Sequence, residues 1–156
     1  MSVQIRKNAE LFYKALKDVW VAEQIWQGSP NNAAWHCTQA VEKVMKGFLR
    51  CLNRDYDYGH ELKELLDVVD SYIDLPSEIT KHILYLERFE VALRYKNMSS
   101  DPTVDEARTA IMRTKEIIQE FGRNQRVSVY MKEAEEVHAK VLKANVGKDS
   151  LENTQN

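Results

Sequence analysis

The chain has 156 residues, 44% of them hydrophobic and 29% charged, with a formal net charge of −2. That length lets one domain bury a real core, and 5 Gly with 3 Pro are too few for a β-sandwich, which needs turn chemistry about every 8 to 12 residues. The near-neutral balance excludes a global basic field, so any nucleic-acid or phosphate site must be a local patch.

The opening residues MSVQIRKNAE lack the apolar core of a signal peptide, and no stretch approaches the roughly 20 apolar residues that span a bilayer. The expectation is a cytoplasmic protein without membrane contact. From Lys7 to about Trp26, residues Phe12, Ala15, Leu16, Val19, Ala22, Ile25 and Trp26 recur at three-and-four spacing, the apolar face of a helix. Gly28 and Pro30 are expected to close it.

A second helix is predicted from Ala33 to about Asn53 behind an Asn31-Asn32 cap, with Ala34, Cys37, Val41, Val44, Phe48 and Leu52 on one side. On the opposite side His36, Gln39, Lys43, Lys46 and Arg50 fall within about 80° of arc. This is either an anion-binding ridge or a solvated face with an i,i+4 pair between Glu42 and Lys46. Gly47 lies on the same arc, where glycine costs about 1 kcal/mol relative to alanine. Its missing side chain permits close approach of a ligand or a packed helix. Cys37 and Cys51 lie about 21 Å apart along this helix and can neither bridge nor share a local metal site.

Glu61 to Ile73 carries Leu62, Leu65, Leu66 and Val69. His60, at the entrance of this third helix, is placed either to bond free backbone groups or to act as a base or phosphate contact near the helix dipole. Ser77 is the expected N-cap of a fourth helix, Glu78 to about Lys96, with Ile79, Ile83, Leu86 and Leu93 on one stripe. Glu90 falls within that stripe, flanked by Glu87 and Arg94. Charges there must be paired or must line a cavity. Leu84, Val91 and Tyr95 form a second stripe, which a second copy of the chain could cover.

Thr103-x-x-Glu106 is a capping box opening a fifth helix, in which Val104, Ala107, Ile111, Ile118 and Phe121 are expected to face inward. Beyond Gly122, Ser128 to about Ala144 reads as a weaker helix with a narrow stripe of Tyr130, Ala134, Val137 and Val141. It would dock on the bundle or meet another chain. The polar end, GKDSLENTQN, is expected to be disordered. The fold class is therefore all-α: a five-helix up-and-down antiparallel bundle over residues 7–122, a C-terminal helical extension over 123–146, and a polar tail over 147–156. No Gly-rich phosphate loop, H-E-x-x-H, nucleophile elbow or metal-ligand cluster is present in the sequence, so no cofactor and no metal are expected.

Three runs of residues carry a resemblance. Residues 34–49, AWHCTQAVEKVMKGFL, resemble the HEPN family's pattern of Gln-Ala, Glu-Lys and a following Lys-Ala, with Gly47 in the place of that alanine. Gly59-His60-Glu61-Leu62 is similar to its Gly-His-Asp-Leu, and Leu93-Arg94-Tyr95 to its Arg-Tyr-Pro, with Lys96 where proline is usual. The resemblance covers about residues 9 to 121. It implies a bundle that usually dimerises and often partners a minimal nucleotidyltransferase as a toxin–antitoxin pair. Many members are metal-independent ribonucleases, with an arginine, a short spacer and a histidine near the end of the fourth helix. Arg94 fits the arginine, but Tyr95 to Met112 contains no histidine. His60 is the other candidate for catalysis, since Arg54 precedes it at the family's spacing.

The sequence thus favours a homodimeric binding module for nucleotide or RNA phosphate, without a DNA signature. Lys43, Lys46, Arg50, His60, Arg94 and Tyr95 are its candidate contacts. A metal-independent ribonuclease using Arg94 and His60, and a purely structural dimer holding a partner through its last helix, are the alternatives.

Overall fold

The computed structural model describes residues 4–54, 61–94 and 101–153, with side chains through Ala92 in the second stretch and Val146 in the third. Six helices and no strands occur among the described residues: α1 Lys7–Ile25, α2 Pro30–Cys51, α3 Leu62–Asp70, α4 Ser77–Arg94, α5 Val104–Gly122 and α6 Ser128–Asn153. None is long and apolar enough to cross a membrane among the described residues.

The helices form a bundle organised around α2, which touches α1, α3, α4 and α5. Its buried positions include Ala34, Cys37, Val41, Val44, Met45, Phe48 and Leu49, so apolar contact extends well beyond one stripe. Phe48 meets Phe121 of α5 edge to face at 5.6 Å between ring centroids. Each such large side chain, fully buried, contributes about 1.5–3 kcal/mol relative to exposure. α1 runs antiparallel to α2 and presents Ala9, Phe12, Ala15, Val19 and Ala22. The small residues in that row let the two backbones approach.

Several helix ends differ from the sequence expectation. Pro30 opens α2 instead of closing α1, because its fixed φ and missing N–H suit the first helical turn. Asn31 and Asn32 consequently lie inside the helix, and Asn32 donates from Nδ2 to Ser29 Oγ at 2.7 Å. Ser77 is the first residue of α4, and the preceding Pro76 carbonyl accepts the N–H groups of Ile79 and Thr80. The Thr103–Glu106 capping box is present in both directions. Val104, expected to face inward, is instead 41% exposed at the first position of α5.

The extension from Ser128 docks along α1 and reaches α5. Val127, Met131, Ala134 and Val137 are buried, Arg6 Nε donates to Glu133 Oε1 at 3.0 Å, and Tyr13 meets the His138 ring edge-on. α6 continues to Asn153, through the stretch from Gly147 expected to be disordered. Gly147 costs helix stability but, unlike proline, leaves the hydrogen-bond ladder intact.

Candidate functional site

The polar side of α2 does not face open solvent. His36, Gln39, Lys43, Lys46 and Arg50 are half-buried, because α1 crosses beside them. Asp18 of α1, only 9% exposed, sits between two of them: His36 Nδ1 lies 2.9 Å from Oδ1, and Lys43 Nζ donates to Oδ2 at 2.5 Å. One turn further, Lys46 Nζ donates to Glu42 Oε1 at 2.7 Å, the i,i+4 pair expected from the sequence. Glu42 is itself buried. Arg50 Nη1 donates to the Lys7 carbonyl at 3.4 Å. Carboxylates removed from water require cationic partners, and Lys43 and Lys46 supply them.

Gly47 marks the crossing point. A Cβ built there would stand 2.8 Å from Phe12 Cε1, so the close approach anticipated at this glycine is made by a packed helix.

At the other end of the bundle, Glu90 Oε2 accepts the Leu62 N–H at 3.3 Å. A free donor in the first turn of α3 thereby gives the charge on the α4 stripe a backbone partner. Arg94 is the last residue of α4, with a side chain outside the described residues. His60 and Tyr95 also lie outside them. Of the six candidate contacts, α2 therefore aligns Lys43, Lys46 and Arg50.

A second arrangement was missed by sequence reasoning. Where α2, α3 and the α5–α6 connection end together, a cleft of about 610 Å³ is lined by Leu52, Arg54, Tyr72, Ile73, Asn124, Gln125 and Arg126. Local backbone chemistry builds it. Asn53 takes the left-handed conformation, φ 58°, while the Asn53 N–H bonds the Arg50 carbonyl and the Arg54 N–H bonds the Leu49 carbonyl. This is a Schellman ending with asparagine in the place usually taken by glycine, and it turns Arg54 off the helix axis. Arg54 Cζ then lies 6.0 Å from the Tyr72 ring centroid, within cation–π range. Across the cleft Asn124 Oδ1 accepts the Arg126 N–H at 2.9 Å, fixing the turn that presents Arg126. Among the described residues, neither Arg54 nor Arg126 has a carboxylate within ion-pair distance.

Other reactive groups are muted. Burial pushes the Cys37 thiol up to about 12, with a hydrogen bond to Thr114 pulling the other way. Burial raises Cys51 to about 11 against the nearby Arg50 charge. Both thiols are free, and neither is set up as a nucleophile. Burial lowers the pKa of His138, opposed by Glu23.

A family model described as HEPN domain matches residues 8–125, from the first turn of α1 to just beyond α5. No curated protein matches the chain, and no solved structure does.

Proposed function

The chain belongs to the HEPN domain family, and on that basis we propose that it binds nucleotide or RNA phosphate. It would act as a homodimer and as an accessory or toxin-type partner of a minimal nucleotidyltransferase. The observation that carries the phosphate reading is the cleft, where Arg54 and Arg126 stand beside Tyr72 with no neutralising carboxylate among the described residues. A guanidinium's planar fork matches two phosphate oxygens at once. Tyr72 is 45% exposed, leaving aromatic surface on which a base can stack. Asn124 and Gln125 add amide donors and acceptors at the rim.

The basic side of α2 extends the same reading. Lys43, Lys46 and Arg50 contribute less, since Lys43 and Lys46 already balance Asp18 and Glu42. Arg94, His60 and Tyr95 complete the proposed contacts. On the outer face of α4, Leu84 and Val91 are exposed, and a second copy would cover them.

Titration of the full chain with a labelled oligoribonucleotide and with mononucleotides at several salt concentrations tests the proposal. Arg54→Ala together with Arg126→Ala is expected to weaken RNA binding at least tenfold. The log–log salt slope should fall by about 0.7 for each phosphate that no longer meets a guanidinium. Lys43→Ala should weaken binding less and stability more. Unchanged affinity and slope in the double variant would overturn the assignment to the cleft.

A further inference from the structure

Glu78 and His82 are one turn apart on α4, and Glu116 reaches the same point from α5. One donor atom from each lies within 4.8 Å of the other two. His82 is only 8% exposed, whereas both glutamates are exposed. His82 Nε2 lies 2.5 Å from Glu116 Oε2, and Nδ1 is buried without a hydrogen-bond partner among the described residues. No lysine or arginine forms an ion pair with Glu78 or Glu116 among the described residues. Two carboxylates therefore converge on one imidazole.

We propose that Glu78, His82 and Glu116 form a divalent transition-metal site joining α4 to α5. The donor set chooses the ion class: one imidazole nitrogen and two carboxylate oxygens suit zinc or cobalt, whereas magnesium prefers an all-oxygen shell. Zinc bonds such donors at about 2.0–2.2 Å, so donor atoms must close to roughly 4 Å or less. Burial holds the imidazole, and rotation of the two exposed glutamates supplies that movement. Three protein donors leave a coordination position for water, as in open zinc sites. The sequence shows Glu78 and His82 at i,i+4, but the third donor stands 34 positions beyond His82.

Chelator-treated full-length protein titrated calorimetrically with Zn²⁺, and by visible absorption with Co²⁺, tests the site. The expected result is one saturable equivalent per chain, a rise in thermal midpoint with Zn²⁺, and no comparable response to Mg²⁺. Glu78→Gln and Glu116→Gln, both at exposed positions, should each weaken Zn²⁺ binding at least tenfold and change the Co²⁺ spectrum. His82→Asn should abolish both if it folds, and the glutamate variants decide the matter if it does not. Absence of a saturable equivalent, or wild-type affinity in the Glu78→Gln/Glu116→Gln double variant, would overturn the proposal.

Discussion

Replacing Gly47 with alanine is expected to destabilise the protein, although the same change in an exposed helix would stabilise it by about 1 kcal/mol. The new Cβ would lie 2.8, 3.1 and 3.2 Å from three ring carbons of Phe12, whereas comfortable carbon contacts are about 3.5–4.0 Å. Phe12 is fully buried, so its ring can retreat only by pushing on other core side chains. Overpacking of this kind costs about 1–3 kcal/mol. Set against the helix gain, the net loss is about 0–2 kcal/mol. For a chain of this length each kcal/mol moves the thermal midpoint by roughly 2–4 °C. Urea unfolding followed by circular dichroism measures the change. The attribution is checked by adding Phe12→Leu, which removes the two closest ring carbons, Cε1 and Cζ. The double variant should be more stable than the sum of the two single effects predicts, with a coupling of about 1 kcal/mol or more. Stabilisation by about 1 kcal/mol in Gly47→Ala alone would refute the close crossing of α1 and α2.

Asp18→Asn removes the charge shared by His36 and Lys43 and is expected to cost about 1–2 kcal/mol, since half-buried Lys43 can recover part of its hydration; equilibrium urea unfolding reads this directly. Native Cys37 should react with a disulfide reagent far more slowly than in urea, because raising its pKa from 9.0 to about 12 cuts the thiolate fraction near neutrality by about 1,000-fold. Comparable native and unfolded rates would contradict its burial. The His138 pKa is lowered on folding, so the unfolded chain takes up the proton first as pH falls through the ordinary histidine value near 6.5. Its stability contribution is thus intact above that pH and lost below it, and His138→Gln should reduce the loss measured between pH 7.5 and 5.5.

Features depending on a few consecutive residues were legible in the sequence. The Thr103–Glu106 capping box is complete within four positions, and Gly47 stood out because a glycine inside a strong helical pattern needs a reason. The charge at Glu90 on an apolar stripe correctly signalled a need for partners, and one of them is the Leu62 backbone N–H, a contact between two helices that the stripe itself does not encode. Lys43 read as part of a basic ridge because Asp18, which it meets, lies 25 positions away on another helix. The cleft was hidden more deeply: Arg54, Tyr72 and Arg126 follow no common period, and their meeting depends on where three helices end. Asn53 was its one local clue, an asparagine placed to end a helix in the left-handed conformation.

The central position of α2 also sets how the molecule opens. Four helices close over it, whereas α6 rests mainly on α1, beyond the reach of the family match. Amide hydrogens in the middle of α2 should therefore exchange with solvent only when the whole bundle unfolds. Those of α6 should exchange through a cheaper, separate opening, letting the C-terminal helix lift away from a bundle that stays folded.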